Sequence, residues 1–301
     1  MGVIASLAYP RSDFDVSTDL YARLNSVPPG EKVGAVARAA LDRLGPSAEC
    51  PLYLAALNGA LLEEPPPFDT DEYAKIYHAA SKDPQWMAIS LITNAEREGD
   101  GAKRLWSLGA CSSDREEQQL LKRHAVDESR HALAYLALLD LSFPGTVSPA
   151  FRQELNALSP GYAMHQALVA VAGSPYAKPP SVDDFLQMNI AEIRTAIHHL
   201  MQRQALAEHC SPENRSQARM IQQSLLRDEL YHVAYTAALI ERKAQSAARN
   251  EVPALFSKRF RDFNLITTEE LGEKIFDCNV ACCAKRPSCR AKAAPAPPAD
   301  A

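Results

Sequence analysis

Val126-Asp127-Glu128-Ser129-Arg130-His131 and Arg227-Asp228-Glu229-Leu230-Tyr231-His232 share one pattern, Asp-Glu-x-x-His. On an α-helix, at about 100° per residue, a Glu and a His three positions apart stand about 60° apart and roughly one turn along, so both side chains reach a single ion. The carboxylate can bridge and the imidazole can terminate. One such pair is common on a helix surface. Two of them, on separate long helices about 100 residues apart, point to a shared centre.

Their surroundings are apolar. Leu121, Ala125, Ala132, Tyr135 and Leu139 fall on the face of Glu128, and Leu225, Leu226, Val233 and Ile240 on that of Glu229. Burying a carboxylate and a histidine in such stripes without a partner costs several kcal/mol. A metal ion supplies the missing positive charge; buried salt bridges without a metal are the plainer alternative.

Outward from these motifs the chain reads as all-α. Ala, Leu, Glu, Arg and Gln dominate the middle, and alternating β-branched runs are absent. Asp83-Pro84 opens a long helix to about residue 108, and Ser113 with Asp114 opens the next, to about 141. Ser181 opens a third, to about 208, and Ser211-Pro212 a fourth, to about 247. Between the second and third lie roughly 40 residues with Pro144, Pro149 and Pro160 and a short helix near 151–158. Two helix pairs joined by a long central crossover make a four-helix bundle that builds metal sites from inward-facing side chains. The organisation expected is accessory N-terminal helices and loops over 1–82, the bundle over 83–247, an accessory segment over 248–283 and a disordered Ala/Pro tail over 284–301. A small helix near 31–44 and the stiff Pro65-Pro66-Pro67 turn mark the first of these.

The remaining two helices should each give one Glu. Met87, Leu91, Ala95, Ala102 and Leu105 cluster around Glu98, whereas Glu96 shares its side with Asp100 and Lys103, so Glu98 faces inward. Gly99 and Gly101 weaken that helix, which is expected only where close packing or a site requires it. Glu192 is the only mid-helix acid of the third helix and is assigned by elimination.

With these residues in place, the chain resembles the ferritin-like diiron carboxylate superfamily, in which four carboxylates and two histidines hold two irons. The Asp-Glu-x-Arg-His form at Asp127 to His131, and the 30-residue step from Glu98 to Glu128, are similar to the hydroxylase subunits of bacterial multicomponent monooxygenases. The second motif departs by carrying Tyr231 where Arg is usual. The resemblance implies a ferritin-like four-helix bundle and the ligand set Glu98, Glu128, His131, Glu192, Glu229 and His232. It implies two iron ions, with a manganese–iron pair as a variant, and dioxygen as co-substrate. His124, four before Glu128, and His199, seven after Glu192, are candidates for a third imidazole, as in the arylamine N-oxygenases. In those enzymes the extra His precedes the second motif, where this chain has Leu225. Tyr135, four after His131, occupies the position of the radical tyrosine in the ribonucleotide reductase small subunit, but the C-terminal radical-transfer tyrosine is missing, since no Tyr follows Tyr235.

Bulk properties narrow the partners. The 32 Lys and Arg against 37 Asp and Glu leave a formal charge of -5 with no basic block, so no nucleic-acid partner is expected. The longest apolar runs fall short of the ~18–20 residues that span a bilayer, so no membrane is expected. Seven cysteines, an odd number in a chain too long to need staples, suit a reducing cytoplasm. Cys278, Cys282, Cys283 and Cys289 match no zinc spacing. The expected activity is that of a diiron oxygenase or oxidase that hydroxylates, N-oxygenates or desaturates a small organic molecule. Without a G-x-G-x-x-G fingerprint it would draw electrons from an external ferredoxin or reductase, and a homodimer is compatible. The alternatives are an iron-handling or structural ferritin-like protein, a reductase small subunit and a tRNA-modifying diiron hydroxylase.

Overall fold

The computed structural model describes residues 18–44, 49–246 and 250–270, and every regular element among them is a helix. Four short helices come first: α1 (Thr18–Asn25), α2 (Lys32–Leu41), α3 (Pro51–Glu63) and α4 (Asp71–Ala80). Two long ones follow, α5 (Pro84–Cys111) and α6 (Arg115–Ser142), then the short α7 (Pro149–Leu155) with a 3-10 turn at Asn156–Leu158. The long α8 (Val182–His209) and α9 (Arg215–Ala244) come next, and α10 (Val252–Glu270) is last. The C-terminal cysteine cluster and the Ala/Pro tail lie outside the described residues.

Side chains fix most of the starts. The Asp83 carboxylate accepts from the backbone N–H groups of Gln85 and Trp86, with Pro84 in the first turn, and Asp114 accepts from Glu116 and Glu117. Ser181 and Asp184 close a reciprocal capping box on α8. Among the four long helices the exception is α9, which begins at Arg215 rather than at Ser211-Pro212. There the Ser211 carbonyl accepts from the N–H groups of Asn214 and Arg215, so Ser-Pro makes a turn and no side chain caps the helix. The same helix ends at Ala244, short of the expected 247.

α5 lies along α6, α8 lies along α9, and α6 meets α9 between the two pairs. α2, α3 and α10 pack on the α8–α9 pair, which is why residues 228–241 of α9 are buried on every side. The apolar core falls into two clusters, one including Leu91, Tyr135, Leu139 and Leu225, the other Leu105, Leu121, Ile193 and Leu226. No described helix is long and apolar enough to cross a membrane.

The crossover is held against α5 at one tight point. A Cβ on Gly99 would run into the carbonyl oxygen of Leu158, which is rigid backbone. Gly99→Ala should therefore lower stability by about 1–3 kcal/mol, the usual cost of overpacking. Gly59→Ala in α3, where an added Cβ meets nothing within 4 Å, should raise it by about 0.5–1 kcal/mol. Denaturant melts of both variants check the pair; equal stabilities would show that the crossover yields freely.

Candidate metal centre

All four long helices send a carboxylate into one buried region. Glu98 of α5 is 9% exposed, while Glu96 on the opposite side of the helix is exposed to solvent. Glu128 of α6, Glu192 of α8 and Glu229 of α9 are buried with it, as are His124, His131, His199 and His232. Helix periodicity produces this arrangement: the apolar stripes that flank each acid are the buried faces, so the acids are carried inward with them.

Glu128 is the hub. Its Oε1 lies 3.2 Å from His124 Nε2, 3.4 Å from His131 Nδ1 and 3.6 Å from His232 Nδ1. Glu229 spans the same two motif histidines, with Oε1 3.4 Å from His131 Nδ1 and Oε2 3.6 Å from His232 Nδ1. Glu98 closes the His131 side at 3.8 Å, and Glu192 closes the other, 3.4 Å from His232 Nδ1 and 3.3 Å from His124 Nε2. Donor atoms of His124, Glu128, Glu192 and His232 all lie within 4.8 Å of one another, and so do those of Glu98, Glu128 and His131. Two donor groups that share Glu128 are the geometry of two adjacent cation positions.

Each motif also brings an aspartate to the other. His131 Nε2 is 3.3 Å from Asp228 Oδ2, and His232 Nε2 is 3.5 Å from Asp127 Oδ2. Asp228 thus holds His131 by a hydrogen bond, Asp127 comes near His232 without making one, and both Nδ1 atoms face the carboxylates; a carboxylate behind the ring is the support that metal-binding histidines ordinarily have. Arg130 joins the two halves by donating to Asp228, with Asp127 Oδ1 3.5 Å away. One guanidinium therefore faces both aspartates. Tyr231, in place of a second Arg, packs 5.9 Å from Tyr235 under the guanidinium of Arg123. Asp127 and Asp228 were visible in the sequence as the repeated residue before each Glu, but their crossed pairing is a tertiary fact.

The other two histidines differ. His124 Nδ1 meets the Tyr235 hydroxyl at 2.6 Å, its ring stacks 3.6 Å from that of His232, and its Nε2 points into the cluster. His199 stacks on Tyr135 instead, with Nε2 3.4 Å from the Tyr135 hydroxyl and 3.6 Å from Glu229 Oε1. It stands behind Glu229, outside both donor groups.

The residues fit a metal. His124 Nε2, Glu128 Oε1, His131 Nδ1, His232 Nδ1 and both Glu229 oxygens are buried without a hydrogen-bond partner, and all face the same space. Leaving each of these unsatisfied costs about 1–3 kcal/mol, more where the group is charged, and a cation answers all of them at once. The set of imidazole nitrogens and carboxylate oxygens suits iron, manganese or zinc.

Protonation in the metal-free protein follows from the crowding. Burial, then repulsion from Glu128, raises Glu98 well above the usual carboxylate range; burial and Glu192 raise Glu229 likewise. Burial opposes charge on Glu128 and Glu192, but hydrogen bonds from neighbouring acids and the field of His124 take both below that range. Burial also opposes a charge on His131 and His232, yet Asp228 and Glu128 push the first well up, and Glu192 and Glu229 push the second up to about 10. His199 falls to about 3, through burial and the field of His131. His232 therefore carries a proton at neutral pH that a cation must displace, and the upward shifts of Glu98, Glu229 and His131 favour their protonated forms in the same sense. Binding should tighten as pH rises through neutrality toward about 10, with release of protons. Zinc titration in weakly buffered indicator measures this; pH-independent binding without proton release would contradict it.

No protein-family model matches the chain, and no curated protein or solved structure is significantly similar to it. What the fold and geometry define is an all-helical protein with a buried histidine and glutamate cluster that could hold a metal, compatible with a ferritin-like diiron fold.

Proposed function

We propose that the chain is a non-heme diiron oxygenase or oxidase on a ferritin-like four-helix bundle formed by α5, α6, α8 and α9. The observation that carries this reading is the meeting of the two motifs, with Glu128 and Glu229 each approaching both His131 and His232, and with Asp228 hydrogen-bonded to His131. Glu98, Glu128, His131, Glu192, Glu229 and His232 are the ligands, and His124 is a seventh on the Glu192 side. A ferrous pair held there supplies the reduction of dioxygen that drives oxidation of a substrate.

The chain's own residues prepare that chemistry. Ligation through Nδ1 leaves the ring proton of His131 and His232 on Nε2; that of His131 donates to Asp228 and fixes the tautomer, while that of His232 lies 3.5 Å from Asp127. Ligation of His124 through Nε2 leaves its proton on Nδ1, facing the Tyr235 oxygen. The two apolar clusters on either side of the cluster keep bulk water away. A cavity of about 320 Å³ reaches Glu98, Glu128 and Glu192 between α5 and α8, which favours a small substrate over simple iron storage. Electrons would come from a ferredoxin or reductase.

The test is oxygen uptake by protein loaded anaerobically with ferrous ion. Rapid consumption of dioxygen with a transient absorbance change is expected. Loaded protein that ignores oxygen, or that assembles into a cage on size exclusion, would instead support an iron-handling or structural role.

A further inference from the structure

Asn189 of α8 is fully buried, three residues before Glu192. A primary amide so placed is costly unless its hydrogen bonds are made, and here they are made on both sides. Its Oδ1 accepts from the Tyr53 hydroxyl of α3 at 2.9 Å, and its Nδ2 donates to Thr236 Oγ1 of α9 at 3.0 Å and to the Val233 carbonyl at 3.1 Å. A flipped amide would set its own oxygen against that carbonyl, so only this orientation is allowed. With Thr236 Oγ1 accepting from Asn189, its proton goes to the backbone, where the nearest acceptor is the His232 carbonyl at 2.6 Å, ahead of Val233 at 3.1 Å. A directed chain thus runs from an accessory helix to the backbone of a cage histidine.

The chain sits at one half of the cage. Thr236 lies four after His232 and Asn189 three before Glu192, so the amide bridges α8 to α9 one turn from the point where Glu192 comes within 3.4 Å of His232 Nδ1. Its far end is gripped twice: besides the phenol held by Asn189, the Tyr53 backbone N–H donates to Glu241 Oε2 of α9 at 2.8 Å. These bonds join α3, α8 and α9, whereas Glu98 and His131 stand on α5 and α6. Tyr53, Asn189 and Thr236 belong to neither donor group. A threonine hydroxyl on the carbonyl four residues back is ordinary in a helix; the amide that aims it is not.

We propose that Tyr53, Asn189 and Thr236 are positioning residues for one half of the centre. They fix the backbone of His232 against Glu192 and thereby set the affinity for the ion held by His124, Glu128, Glu192 and His232, while the ion at Glu98 and His131 is indifferent to them. This rests on the diiron reading and deepens it, because it gives the accessory helix α3 a part in the metal site. A satisfied buried amide that served only the fold would act on both halves alike.

The experiment is manganese titration of the full-length protein, with the free ion read by its electron paramagnetic resonance signal, in two backgrounds that each keep one position. Glu98→Ala keeps the His232 half, and Glu192→Ala keeps the His131 half. Thr236→Val should weaken the ion in the first background by about 10–100-fold, the usual effect of losing an outer partner of a metal ligand. In the second it should shift affinity by no more than about twofold, as for sites that do not interact. Thr236→Ser, which keeps the hydroxyl, should restore binding. Tyr53→Phe removes one oxygen from the far end of the chain and should act on the same half; it decides the matter if circular dichroism shows Thr236→Val unfolded. The inference is overturned if both backgrounds lose affinity equally, if neither changes, or if Thr236→Ser binds no better than Thr236→Val. Wild type separates the two levels. Two ions per chain with an even-handed loss remove only this inference, whereas wild type that binds no ion loses the diiron reading and this one with it.

Discussion

Glu128→Ala is expected to leave the chain unable to hold either ion. Glu128 is the one residue common to both donor groups, and its Oε1 lies within 3.6 Å of three imidazoles. Deleting one partner of a buried charge cluster costs about 3–5 kcal/mol, or about 10²–10⁴-fold in affinity, and here the loss falls on both positions. Glu98→Ala should remove one ion only, because Glu98 belongs to the His131 group alone. Glu96→Ala is the control: exposed on the other side of α5, it should keep both ions and change stability by no more than about 0.5 kcal/mol. Iron analysis after anaerobic loading reads all three. Full iron in Glu128→Ala, or loss of iron in Glu96→Ala with Glu98→Ala intact, would show that the helix faces are wrongly assigned.

The second large effect is a crossed one. Asp228→Ala frees the Nε2 of His131, which lies in the other motif, and Asp127→Ala removes the carboxylate 3.5 Å from the Nε2 of His232. Each should weaken the ion at the opposite motif's histidine by about 10–100-fold, the ordinary consequence of removing the group that orients a metal-bound imidazole. Asp228→Ala should be the more severe, because it also takes away the close partner of Arg130. Manganese titration in folded variants, with circular-dichroism melts as the folding control, measures the effect. Equal affinity in wild type and both variants would mean that the aspartates serve only the fold.

The legible part of the sequence was the part governed by local rules. Helix starts at Asp83, Asp114 and Ser181 follow from capping chemistry, and the inward turn of Glu98 follows from its apolar neighbours. Glu192, reached by elimination, lies 3.4 Å from His232. What the sequence left open depends on how helices meet. His124, four before Glu128, and His199, seven after Glu192, each share a helix face with a candidate acid, yet one points Nε2 at two glutamates and the other turns to Tyr135. That choice is made by packing between α6, α8 and α9. The start of α9 was misread because Ser-Pro signals a turn as readily as a cap. α10 went unread although Phe256, Phe260 and Phe263 recur at helical spacing, a stripe that packs on α3 and α8.

The central claim is that two ions occupy one cage, and X-ray absorption spectroscopy with iron analysis on the anaerobically loaded protein tests it most directly. The account predicts about two irons per chain, a ligand shell of mixed nitrogen and oxygen, and an iron–iron vector of about 3.5–4 Å, the separation of two metals that share bridging carboxylates. A single ion at full occupancy with no metal–metal vector, or protein that retains no metal, would contradict it.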